Sequence, residues 1–243
     1  MPAKSKSLSA ILAQQQRRKR WREFLDFAER HGSPHWLFRG VADAPNHLLV
    51  PKVGRNAKLY NPGAELVLFK NFKRRVRQFV DVRQMSDWEI LALAQHHGLP
   101  TRLLDWSTNP LVAAFFAVSS KPEKTTARIY AFQASEIIDT DVTTSPFEQT
   151  TPAVYIPSSI AARIVSQRGV FTVHPDPVTP LTRTGSTSDS HYFDIEAIDR
   201  PYFERRLFGL AIDPSVIMVD IDGLCRALEW QYTRGVALGK VVF

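Results

Sequence analysis

Apolar positions recur at helical spacing in several stretches of this chain and at strand spacing in others. Trp21, Phe24, Leu25 and Ala28 fall at i, i+3, i+4 and i+7, one apolar stripe. They predict a helix that begins after residue 8 and runs to about Arg30, with Gly32 and Pro34 ending it. Residues 35–41, HWLFRGV, read as a short strand. Alternation puts Trp36 and Phe38 on one face and Leu37, Arg39 and Val41 on the other. Arg39 is then a charge on an apolar face. It needs a buried anion, a ligand or a strand end that lets it reach solvent.

A second helix is predicted after Pro62, with Leu66, Phe69, Val76 and Val80 near helical spacing and Lys70, Lys73, Arg74, Arg75 and Arg77 on its other surface. That surface reads either as a solvated face or as an anion-binding one. The third helix is the best punctuated. Ser86 and Glu89 make a capping box, Gly98 sits at the C′ position and Pro100 follows, so the helix covers about Asp87 to His97. Asn109 as N-cap and Pro110 at N1 start a fourth, and Leu111–Val118 is apolar all round, which predicts a buried helix. Residues 127–132, 170–174 and 192–196 read as strands, and 175–190, rich in Pro, Thr and Ser, as a long loop. Ile221, Leu224, Cys225 and Leu228 give a last helical stripe ending before Gly235, with Cys225 in the core. The expected class is α+β, a single compact domain with a mixed helix bundle and a small β-sheet and no regular βαβ alternation.

Charge changes this picture in one place. The 243 residues hold 31 basic and 24 acidic side chains, a net charge of +7. Lys4, Lys6, Arg17, Arg18, Lys19, Arg20 and Arg22 all precede the first acidic residue, Glu23, and the rest of the chain balances. The excess therefore reads as a basic N-terminal arm, residues 1–22, ahead of a charge-balanced domain, residues 23–243. A nucleic-acid contact through that arm is one expectation. A hydrophobic fraction of 44% fits a globular core. The single cysteine excludes an internal disulfide framework and points to a reducing compartment, hence the cytoplasm. No apolar run reaches the roughly 20 residues of a membrane span.

The densest chemistry lies in QHHGLPTRLLDWSTN, residues 95–109, read as a polar loop between two buried helices. Gln95, His97, Thr101, Arg102, Asp105 and Trp106 fall within it. The N-terminus of the following helix offers free N–H groups to an anion. A structural account stands beside the functional one: Arg102 and Asp105 pair, Trp106 is core, and Asn109 only caps. Adjacent His96 and His97 point to different helix faces and make a poor metal pair, so no metal site is expected.

These motifs carry a resemblance. Phe38-Arg39-Gly40 with LLVPKVGR (48–55) and LALAQHHGLPTRLLDWSTNPLVAAFFA (91–117) resemble the FRG domain family, named for its Phe-Arg-Gly motif. RIVSQRGVFTVHP (163–175) and VDIDGLCRAL (219–228) extend the resemblance, with Ile217, Met218 and Val219 where the family often has Leu-Phe-Pro. The family occurs mainly in bacteria and their phages, and the resemblance implies a setting among toxins or phage-defence effectors.

From the residues, the first reading is a nucleotide-binding protein with ADP-ribosyltransferase-like, NAD-using activity and fold. An arginine in an early aromatic-Arg-Gly strand suits bidentate phosphate binding. The carboxylate such chemistry needs is sought at Glu196, with Glu148 and Glu204 behind it, and Ser186-Thr187-Ser188 is read as linker. The second reading is a non-catalytic ligand or partner module, and the third is nucleic-acid binding through the arm. In all but the third, Arg39 and the 95–109 segment meet in one cleft. Arg39 and Arg102 would contact an anion and Asp105 would orient one of them. Phe38, Gly40, Gln95, His97, Thr101, Trp106 and Gln167 would line the ligand. His174 is read as structural.

Overall fold

The computed structural model describes residues 8–134, 136–140, 145–158, 165–181 and 191–234. Its strands are β1 (Trp36–Val41), β2 (Leu103–Ser107), β3 (Ala127–Gln133), β4 (Ala153–Tyr155), β5 (Gly169–Val173) and β6 (Tyr192–Ile195). They form one sheet in the order β4-β5-β2-β1-β3-β6, with every neighbouring pair antiparallel. The helices are α1 (Leu8–Arg30), α2 (Pro62–Arg75), α3 (Asp87–His96), α4 (Pro110–Ser119), α5 (Arg200–Phe208), α6 (Pro214–Met218) and α7 (Ile221–Arg234). The architecture is α+β, as the sequence predicts. No described helix is long and apolar enough to cross a membrane.

Strand alternation and register assign the two sheet faces. One face presents Phe38, Ile129, Ala131, Phe193 and Ile195 to α1 and α4. Further along the same face, Leu103, Phe171, Val173 and Tyr155 meet α2 and α3. The other face carries Leu37, Val41, Leu104, Trp106 and Tyr130, covered in part by Leu49 and Leu181 from loops. Arg39 pairs with Tyr130 in the ladder and so belongs to that second face, as alternation predicts.

Local signals explain the ends of α3 and α4. Both halves of the Ser86–Glu89 capping box form, and Gly98 takes a φ of 84° after the helix, a left-handed conformation that favours glycine. Asn109 accepts from Leu111 N at the start of α4. Packing places α4 directly on β1. A Cβ at Gly40 would stand 1.8 Å from Ala113 O and 2.7 Å from Ala117 N, so only glycine permits this approach. Buried Arg200 then ties down the far end of α4, donating to the carbonyls of Val118 and Ser120 and, beyond them, Pro122 and Ala42.

Three expectations change. Residues 103–107 are a central strand, not part of a loop, and β4 joins the far edge of the sheet. The buried face of α1 is Trp21, Phe24 and Phe27, while Leu25 is 40% exposed. In α7 the small residues Gly223 and Ala227 are buried, and Ile221, Leu224, Cys225 and Leu228 are exposed. Helix α1 runs unbroken through Arg22, as its apolar stripe predicts. Trp21 packs edge-on against Phe203, and Arg20 donates to Asp194 O. Residues 1–7, Ser186–Ser188 and most of the 175–190 loop lie outside the described residues.

Gly40→Ala should lower the unfolding free energy by about 3 kcal/mol or more, because a methyl driven into helix backbone forces α4 off the sheet. Urea denaturation of purified protein reads this directly, and a change under about 1 kcal/mol would contradict the close approach.

Candidate functional site

Two helix layers share one sheet face, and a cleft opens between them. It is a cavity of about 370 Å³. Phe38, Arg39 and Gly40 of β1, Asp105, Trp106 and Ser107 of β2, and Gly169 and Phe171 of β5 contribute to its walls, with Gln167 preceding β5. Gln95 and His96 reach it from the C-terminal turn of α3, and Ala113, Phe116 and Ser120 line it from α4 and its end. Strands β1 and β2 share a single register pair, Phe38–Ser107, so they splay beyond it. Arg39 bridges the split.

A relay of hydrogen bonds orders the polar wall. Thr101 Oγ1 accepts from Leu103 N at 3.1 Å and donates to Gln95 Oε1 at 2.6 Å. That contact turns the amide so that Gln95 Nε2 donates to both oxygens of Asp105, at 3.0 and 3.1 Å. Asp105 in turn holds Arg39, whose Nη1 donates to Asp105 O at 2.6 Å and lies 3.5 Å from Oδ2. The Asp105 side chain is 56% exposed and that of Arg39 only 12%. Arg39 Nε is buried without a partner. Burial lowers the guanidinium pKa, and Asp105 opposes that shift.

Behind the cleft lies a second chain. Trp106 Nε1 donates to Thr172 Oγ1 at 3.0 Å, and Thr172 Oγ1 lies 3.0 Å from His174 Nε2. The threonine hydroxyl thus links the indole to the imidazole. Burial, and then the charge of Arg39, hold the His174 pKa down at about 4.

The structure joins Arg39 to Gln95, Asp105 and Gln167 around one cavity and separates other predicted residues from it. Arg102 does not line it. Its Nε and Nη2 donate to Glu65 Oε1 and Oε2 at 3.0 and 2.7 Å, and its guanidinium sits 4.7 Å above the Phe147 ring. Both partners are buried, so Arg102 is occupied by Glu65 and Asp105 serves Arg39 instead. Glu196 lies past the end of β6 and accepts from Thr126, away from the cleft. His97 is exposed beyond α3, and His96 takes the wall position. Phe38 and Gly40 touch the cleft while serving the core and the seat of α4. Thr101 acts through Gln95. Gln167 also donates to Ile217 O, and its own carbonyl accepts from Ser107. Phe171, expected on the nicotinamide side of an NAD site, lines the cleft, while sequence reasoning missed Phe116, which was read only as part of a buried helix. Among the described residues, no group of three or more His, Cys, Asp or Glu side chains is placed to hold a metal ion.

A family model for the FRG domain matches residues 34–126. The chain contains an FRG domain. The match covers β1 through α4, hence Arg39, Gln95 and Asp105, and the Phe-Arg-Gly motif is the segment that meets α4 at Gly40. Residues 163–175 and 219–228 lie outside the matched part of the FRG domain. No curated protein and no solved structure matches the chain.

Two measurements separate the arginines and test the histidine. Arg102→Met should cost about 3–5 kcal/mol of stability, because it leaves the buried Glu65 carboxylate without its cation and with only the Tyr60 hydroxyl as donor, and the Glu65→Leu/Arg102→Met double variant should recover much of it. His174 binds its proton more weakly folded than unfolded. Its contribution is therefore complete above about pH 6.5 and is lost as pH falls toward 4, at up to about 1.4 kcal/mol per pH unit. Urea melts between pH 7 and 4 should show this slope, and it should be shallower in His174→Gln.

Proposed function

We propose that the cleft between α3 and α4 binds a nucleotide. The observation that carries this reading is Arg39, a cleft-lining cation nearly nine-tenths buried whose Nε has no protein partner. A buried donor left unpaired costs free energy, and an anionic group on a ligand recovers it. Phe116 and Phe171 offer apolar walls to a planar base, and Gln95, Ser107 and Gln167 make a polar wall beside it.

NAD belongs to this ligand class, and ADP-ribosyl transfer is the reaction first suggested by Arg39 in its strand. The placement of the acids favours binding over transfer. Among the described residues, no glutamate lines the cleft. Glu196 accepts from Thr126, and Glu204 accepts from Trp230 and Arg234. Asp105 is the cleft's carboxylate, and it is committed to Gln95 and Arg39. In a toxin or phage-defence setting, such a domain would sense a nucleotide through this cleft.

Calorimetric titration with NAD, ADP-ribose, ATP and GTP tests the reading. At least one should bind, and Arg39→Met should weaken it about 10- to 100-fold, the worth of a charge-assisted contact. Binding by none of them ends the reading. Release of nicotinamide from NAD by the wild type, absent in Asp105→Asn, would replace it with transfer or hydrolysis.

A further inference from the structure

The segment leaving β1 folds back over the sheet face on which Arg39 lies. Leu49 and Val50 are buried there, and Leu49 O accepts from Leu181 N at 2.9 Å. The same segment holds His47 and Arg55, with Arg55 Nε anchored at 3.5 Å from Val50 O. His47 Nε2 is buried with no partner, and so is Arg39 Nε. Two basic side chains thus each leave a nitrogen dry and unused. The groups acting on His47 are Arg39 from β1, Arg55 from the loop and Asp43 from its own segment. Those acting on Arg39 are Asp105, Arg55 and Tyr130. Asp43 is engaged by Asn46 Nδ2 at 3.0 and 3.2 Å, and Asp105 by Gln95, so neither carboxylate answers the free nitrogens.

We propose that Arg39, His47 and Arg55 form a subsite for a phosphoryl anion. The assignment rests on the nucleotide reading of the cleft and deepens it, since Arg39 belongs to both. A phosphoryl group offers several acceptor oxygens, enough for Arg39 Nε and for His47 through an Nε2–H, with Arg55 adding charge. Burial first and then Arg39 and Arg55 hold the His47 pKa down at about 4. A bound polyanion offsets both arginines and favours the imidazolium, so binding should draw a proton onto His47.

The experiment uses the full chain and inorganic pyrophosphate. Imidazole NMR should show the His47 pKa rising by at least one unit when pyrophosphate is added. Calorimetry should show pyrophosphate binding at least tenfold weaker in Arg55→Met and in His47→Gln, with circular dichroism confirming that both variants remain folded. An unmoved His47 pKa, or wild-type affinity in both variants, overturns the subsite. Adenosine, which lacks phosphate, separates this from the cleft reading. If adenosine and NAD bind while pyrophosphate leaves His47 unmoved, the subsite fails and the cleft stands. If pyrophosphate titrates His47 and no nucleotide binds, the subsite stands and the cleft reading fails.

Discussion

The approach of α4 to β1 at Gly40 organises much of this molecule. Helix backbone lies where any side chain on β1 would stand, so α4 is pressed onto the middle of the sheet. Its apolar residues then fill the space against α1 and β3, and Arg200 secures its far end. On the same sheet face α3 packs over β2 and β5. The two helix layers do not merge, and the room between them is the cleft. The Phe-Arg-Gly motif is therefore two adjacent solutions: a glycine that admits a helix, and an arginine that reaches Asp105 at the edge of the cleft.

Two arginines of the most polar stretch show how burial separates structure from function. Arg102 is buried with a bidentate carboxylate and an aromatic ring, and none of its nitrogens is buried without a partner. Arg39 is almost as buried, yet its acid partner leans toward solvent and its Nε is idle. A satisfied buried pair specifies a fold, and an incomplete one invites a ligand. The relay from Thr101 through Gln95 to Asp105 holds the incomplete pair in a single orientation, which suits a preorganised binding site.

Much of this was legible in the residues because the signals are local. Capping boxes and Pro-led helix starts depend on neighbours within one turn, so α3 and α4 could be bounded to within a residue. Alternation put Arg39 on an apolar face for the same reason. What was not legible depends on distant partners. β2 looked like a loop because its polar residues sit between strong helix signals, and only pairing with β1 and β5 makes it a strand. Glu65, the partner of Arg102, lies inside a helix whose stripe was assigned to Leu66. In α7 the packed side is set by small residues, against the reading from hydrophobicity.

By itself the sequence determined five helices, α1 to α4 and α7, most of the strands, and that Arg39 must find an unusual environment. Those outcomes follow from backbone chemistry over a few residues. Only the tertiary structure decided which carboxylate each arginine meets, which histidine faces the cleft, and that Arg39 stands between that cleft and the loop holding His47 and Arg55. Such choices depend on the register of strands far apart in the chain and on how closely helices approach them, and no local pattern encodes either.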